Sequence, residues 1–420
     1  MYRALPLFLL PVMVCAQAVD PRPYIASLEK NLTENIIAFW YPKSVDRANG
    51  GFHMHWGAKG ERKEGTKALV VQARMVWLSA RLARAGYRKQ EMLEAAEHGY
   101  RFLRDKMWDA ENGGFYWEVD ASGDKKLRNH KHLYGQAFAL YAVSEYAQAS
   151  GRRDVRDFAI RIYDVLEEKA HDGEFGGYRE FFSRDWKSPE AGERPYMSVP
   201  ADMKLMNTHL HLMEAVSTFY RATKHAPALA RLTELMNIES NAVVRKGVTA
   251  CTDKYDRNWK PRLDGEWARV SYGHDLENIW LLVEAAESAG VSPYPMMDLF
   301  RENFAHSMKY GWDAGAGGFY DSGPLLKEAD RRAKVWWVQA EALVSALTMY
   351  KLTRERAYFD VFAKTLDFVN SRLTDWSTGE WHGQIDAEGR AVGDKGHNWK
   401  AGYHNGRAMI ECLALLRSLQ

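Results

Sequence analysis

A glycine-aromatic turn that keeps returning along the chain constrains its fold more than any other feature. It reads Gly50-Gly51-Phe52, Gly113-Gly114-Phe115, Gly176-Gly177-Tyr178, Gly265-Glu266-Trp267, Gly317-Gly318-Phe319 and Gly379-Glu380-Trp381. Several copies stand about 60 residues apart, the period of a repeat architecture. Glycine permits the positive φ of a tight turn, and the aromatic then packs inward. Between the turns, apolar residues recur at i, i+3, i+4 and i+7, as in amphipathic helices. This periodicity predicts helices over 22–40, 66–86, 89–106, 131–150, 153–170, 203–224, 226–240, 273–289, 293–308, 334–352, 356–372 and 404–419. There is no alternating βαβ pattern and no Pro/Ser-rich linker. Six helix pairs in one chain close naturally into a toroid. The predicted fold is therefore all-α, an (α/α)6 barrel, with short β-hairpins after the glycine turns, as at Phe115 to Val119.

A chain of 420 residues that is 46% hydrophobic can bury a large core. A formal net charge of +2 gives no basic face for nucleic acid. Fifteen Trp and 21 Tyr supply flat rings with polar tips, which suit sugar faces as well as the core. The N-terminus reads as a secretory signal: Arg3, an apolar run from Ala4 to Val14, then Ala16-Gln17-Ala18 in the A-x-A cleavage pattern. Residues 1–18 are thus expected to be removed, leaving a single catalytic domain over 19–420 in the periplasm or cell exterior. The apolar run is too short to span a bilayer permanently, and no membrane attachment is expected after cleavage. Cys251 and Cys412 then remain; one disulfide is allowed but not implied.

The unusual polar residues sit near the starts of alternate helices. They are Arg74; Tyr134 with Gln136; Asn207 with His211; His274, Asp275 and Glu277; Trp337 with Glu341; and His404, Asn405 and Arg407. If alternate helices line the barrel, these clusters converge on one mouth, as a site on a repeat scaffold should. His274 and Glu277 share a helix face, and a carboxylate beside an imidazole can orient it and raise its pKa. The same acids would also suit the first turn of any helix. Trp337 and Glu341, four apart, offer a platform and a hydroxyl acceptor. Arg74 lies in an apolar run, so it needs an ion-pair partner or a ligand oxygen. His209 and His211 face different directions on a helix, and no H-E-x-x-H or cysteine cluster is present, so no metal is expected.

Taken together, Gln72-Ala73-Arg74 with Trp77, Asn207-Thr208-His209-Leu210-His211, Gly273-His274-Asp275-Leu276-Glu277, Trp336-Trp337 with Glu341, and Trp399-Lys400-Ala401-Gly402-Tyr403-His404-Asn405 resemble the N-acylglucosamine 2-epimerase superfamily, most closely its cellobiose 2-epimerase branch. The resemblance covers essentially the whole chain after the leader. It implies an (α/α)6 barrel that inverts C2 of a reducing-end aldose without a cofactor. It implies that His274 and His404 are the acid/base pair, that Arg74 and His211 contact the carbonyl oxygen and hydroxyls, and that Glu277 orients His274. Glu341 would bond sugar hydroxyls, Trp337 and Trp399 would stack on the substrate, and Tyr134 and Asn207 would help bind it. Ala401-Gly402 stand where the cellobiose branch carries Cys-Pro, which leaves mannose beside cellobiose-like disaccharides as a substrate.

Three alternatives remain at this stage. An aldose–ketose isomerase would use the same residues and return the proton to C1. A glycoside hydrolase on the same barrel would need two flanking carboxylates and no histidines. A binding protein would need the tryptophans alone. The expected partner is a small mono- or disaccharide, and the expected state is a monomer or weak dimer.

Overall fold

The computed structural model describes residues 19–189 and 199–419, so the leader predicted over 1–18 lies outside the described residues. Twelve helices follow in six pairs. They are α1 (22–40), α2 (Leu69–Arg84), α3 (Lys89–Phe102), α4 (Leu133–Ser150), α5 (Arg153–Lys169), α6 (Met206–Thr223), α7 (Ala226–Asn237), α8 (Tyr272–Ala289), α9 (Met297–Gly311), α10 (Trp336–Thr353), α11 (Arg356–Phe368) and α12 (Tyr403–Arg417). A π-turn lies within α1 and others extend α3, α7 and α11. The even-numbered helices form a closed inner ring, and the fold is the predicted (α/α)6 barrel.

Residue pattern decides which helix goes where. On α5 the buried residues are Val155, Ala159, Ile162, Tyr163 and Leu166, one stripe on an otherwise charged helix. By contrast, α4 is buried on every side from Leu133 to Ala147, as a helix packed between two neighbours and an outer layer must be. Most inner helices end on a left-handed residue: Gly151, Lys224, Gly290 and Arg354. Short connectors then lead to the outer helices. At that end, ion pairs tie neighbours in the ring: Arg81–Glu411 at 2.8 Å, Arg84–Glu145 at 2.6 Å and Arg221–Glu284 at 2.8 Å. The long connections all lie at the other end, beside the N-termini of the inner helices. They wall the mouth where the polar clusters were expected.

The recurring turn is a clasp on the inner helix. Gln72 accepts from Phe52 N at 2.9 Å and donates to Phe52 O at 2.8 Å; Gln136 and Gln339 hold Phe115 and Phe319 in the same way. Each such bond contributes about 1 kcal/mol net. Gly51 has φ +68°, and a Cβ there would lie 2.5 Å from Gln72 Oε1. A buried lysine closes each clasp on an aspartate, as in Lys67–Asp46 at 2.8 Å and Lys131–Asp109 at 3.1 Å.

Two expectations are corrected. The fourth turn is not Gly265-Glu266-Trp267, which forms a single 3-10 turn. The repeat instead runs through 245–251, where Arg245 N bonds Ala250 O, Thr249 N bonds Arg245 O, and Val244 bridges Cys251. Thr249 takes the positive φ there, so the glycine signature is absent from that copy. Helices α2, α4, α6 and α10 also start two or three residues later than predicted. Their first residues are drawn into two-residue strands, such as Lys67–Ala68 against Glu118–Val119 and Lys334–Val335 against Gln384–Ile385. Glu118–Val119 also pairs with Lys126–Arg128, the hairpin expected after Phe115.

Candidate active site

The starts of the inner helices surround a cavity of about 360 Å³. Nine of the ten residues expected at the site line it: Arg74, Tyr134, Asn207, His211, His274, Glu277, Trp337, Trp399 and His404, joined by Trp336. Helical spacing explains the convergence. His211 and Glu214, His274 and Glu277, and His404 and Arg407 each lie three apart, so each pair faces the barrel axis.

Trp337 links the two candidate proton-transfer histidines. Its ring centroid lies 4.8 Å from that of His274 and 5.9 Å from that of His404. His404 Nδ1 bonds Glu341 Oε1 at 2.6 Å, which leaves Nε2 for chemistry. His211 Nδ1 bonds Glu214 Oε2 at 2.9 Å, with the same consequence. Arg74 donates to the Trp399 carbonyl at 2.7 Å and to Tyr134 OH at 3.1 Å, and its guanidinium lies 4.3 Å over Phe138. Arg74 thereby places a fixed positive charge in the cavity and anchors the segment that carries Trp399. Asn207 is held by its backbone N–H on Asp253 Oδ1 at 3.0 Å, and its side-chain oxygen has no protein partner.

Glu277 and Glu341 do not have the contacts the sequence led us to expect. Glu277 makes no bond to His274; its Oε1 accepts from Arg407 at 2.7 Å, and its Oε2 is unpartnered. Glu341 does not line the cavity. Its oxygens are taken by His404, by Arg407 at 2.8 Å and by Trp280 Nε1 at 3.0 Å. The carboxylate that orients a candidate proton-transfer histidine is thus Glu341, acting on His404 from a different helix. Sequence reasoning left Glu214 unremarked and gave Arg407 no role; their spacing from His211 and His404 is the signal that could have found them.

Electrostatics follow from burial. His274 is held down to about 4 by burial, which the nearby Asp253 opposes. Burial also lowers His211 and lowers His404 strongly, with Arg74 and Arg407 adding to the second effect. All three imidazoles are therefore neutral near pH 7 and able to accept a proton. Glu214 resists burial because Arg407 and His211 hold it down at about 2. Glu277 is pushed well up by burial and by the charge of Glu341, and Glu341 is raised by burial against the pull of Arg407. Three carboxylates share one guanidinium, and that shortage of positive charge favours the protonated forms of Glu277 and Glu341.

Glu277, Glu341 and His404 bring ligand atoms within 4.8 Å of one another, a spacing that could hold a metal ion. Arg407 already supplies positive charge there, donating to both Glu277 and Glu341. Cys251 and Cys412 are both buried and free, so they do not pair. Among the described residues no helix is long and apolar enough to cross a membrane.

The ring of inner helices presents histidines, an arginine and tryptophans to one cavity, and with the likenesses that follow this makes the chain a carbohydrate epimerase or isomerase. The chain belongs to the N-acylglucosamine 2-epimerase family, whose model matches residues 50–408. It is 30% identical over 393 residues to the cellobiose 2-epimerase of Bacteroides fragilis, across 92% of this chain and 97% of that one. The solved cellobiose 2-epimerase of Spirochaeta thermophila superposes with a TM-score of 0.84 at 32% identity, covering 94% of this chain and 97% of the other. The D-mannose isomerase of Marinomonas mediterranea is 26% identical over 399 residues, across 91% and 95% of the two chains.

Proposed function

We propose that the protein inverts C2 of a reducing-end aldose by proton transfer between His274 and His404 through an enediolate, without a cofactor. The substrate is the reducing-end residue of a cellobiose-like β-1,4-linked disaccharide, or free mannose or glucose. The observation that carries this reading is the pair of neutral histidines beside one tryptophan, in a cavity that also holds Arg74 and His211.

The C2–H bond is acidic only beside an open-chain carbonyl, so the sugar ring opens first. One neutral imidazole takes the C2 proton, and the bond pair moves towards O1 to form the enediolate. Arg74 offsets the charge on oxygen, as a donor fixed in a dry site does, and His211 joins it when its Nε2 carries a proton. Rotation about C2–C3 presents the other face, and the second histidine returns a proton from Nε2; where that histidine is His404, the proton that Glu341 shares with Nδ1 moves onto the ring as Nε2 gives its own up, so the ring is not left as an anion. His404 suits either role, because Glu341 holds its ring while the pair shares a proton. Return of the proton to C1 instead gives a ketose, and the likeness to a D-mannose isomerase favours keeping this second reading.

NMR of the protein with cellobiose, and separately with mannose, in D2O tests the proposal. Deuterium at C2 with a new C2 epimer is the expected result. Deuterium at C1 of a ketose supports the isomerase, and cleavage to glucose without exchange at C2 overturns both. Dialysis against EDTA is expected to leave turnover unchanged, because Arg407 supplies the cation in the carboxylate cluster. A loss restored by one metal ion would contradict that assignment.

A further inference from the structure

His211 and His404 lie on different helices, yet their carboxylate partners meet on one side chain. Arg407 is buried, only 1% exposed. Its Nη1 donates to Glu214 Oε1 and also contacts Tyr403 OH. Its Nη2 donates to Glu277 Oε1 at 2.7 Å and to Glu341 Oε1 at 2.8 Å. The guanidinium is fixed between Trp280, 4.7 Å away, and Tyr403, 4.5 Å away. The result is a continuous line from His211 through Glu214, Arg407 and Glu341 to His404, with Glu277 on a branch that faces the cavity.

We propose that Glu214 and Arg407 are positioning residues that join His211 to His404 as one electrostatic unit. Charge lost or gained at one histidine is then felt at the other. This rests on the proposed two-histidine reaction, in which His211 faces the enediolate oxygen and His404 moves the proton on carbon. The physical basis is a shortage of cation. Arg407 has one charge to divide among three carboxylates, and in a dry site that division is felt strongly. When the His404–Glu341 pair gives up its shared proton, Glu341 becomes the stronger partner for Arg407. Glu214 is then less neutralised and holds the proton of His211 more firmly. Proton release on one side thus strengthens proton binding on the other.

The other groups around the unit do not break this logic. His404 meets Glu341 from α10, Arg74 from α2, His211 and Glu214 from α6, Glu277 from α8, and Tyr403 and Arg407 on its own helix. His211 meets Glu214, Arg74, Arg407 and, from α4, the rings of Tyr134 and Phe138. Arg74 carries a positive charge that lowers both histidines.

The test is Glu214→Gln, which keeps size and removes one negative charge from a residue that does not line the cavity. With less negative charge nearby, every proton on the His404–Glu341 pair is bound less tightly. The limb of the kcat–pH profile set by that pair moves to lower pH by about one unit. Glu214→Asp, which restores the charge, returns the limb to its wild-type position. A Glu214→Gln enzyme with an unmoved limb, changed only in KM or Tm, overturns the proposal. Nitrogen NMR of labelled histidine in the wild type reads the coupling without turnover or folding of a variant. Shared midpoints for His211 and His404 are expected, and independent single-step titrations overturn the coupling. Absence of exchange at C2 in the wild type would instead refute the reaction itself.

Discussion

Replacing His404 by alanine is expected to lower turnover by about 10³-fold or more while leaving the barrel folded. The imidazole lines the cavity with its Nδ1 locked on Glu341, so its other nitrogen is the group presented to substrate. The rings that flank it do not replace it as a base: Trp337 has no titratable group, and the phenol of Tyr403 is pushed far above its ordinary range by burial. The fold should tolerate the change. His404 borders an open cavity, water can fill the space, and the inner-ring packing of Met409, Leu413 and Leu416 on the same helix is untouched. Steady-state kinetics with circular dichroism checks this. Near wild-type turnover in a folded variant would remove His404 from the mechanism, whereas a protein that no longer melts cooperatively would mark it as structural.

Glu341→Gln is expected to cost about 10²-fold in kcat with little change in KM. Glutamine fills the same volume but cannot hold the proton that His404 shares, and it leaves the His404 ring free to choose the wrong tautomer. Arg407 loses one of its three anionic partners, so Glu214 and Glu277 draw it more strongly. KM should barely move, because Glu341 does not line the cavity. A large KM effect with kcat preserved would instead return Glu341 to a hydroxyl-binding role. Measuring kcat and KM separately on the substrate identified by NMR therefore distinguishes positioning of His404 from direct contact with sugar.

Glu341 shows where reading the sequence stops. Its place on the inner helix beside Trp337 was legible, because it follows Trp337 at helical spacing. Its partner was not, because His404 arrives from the next inner helix, 63 residues away in sequence. Glu277 failed in the opposite direction. Its spacing from His274 on one helix made a local pair attractive, but Arg407 on α12 is a stronger partner and takes the carboxylate. Arg74 was correctly marked as a buried arginine in need of acceptors, and those proved to be a backbone carbonyl and a tyrosine hydroxyl rather than an acid. The fourth turn was placed wrongly because glycine was its only sequence mark, and in that copy Thr249 adopts the positive φ.

By itself the sequence determined the helix pairs, their number, the helices that line the ring and most of the residues around its mouth. These are consequences of short-range periodicity, which the chain carries locally and repeats along its length. The tertiary structure alone decided who bonds to whom at the site. Ring closure brings α6, α8, α10 and α12 together around one guanidinium, and a buried cation pairs with the carboxylates that best offset its desolvation. No spacing within a single helix can encode that choice, because the competing partners come from elements that meet only when the barrel closes.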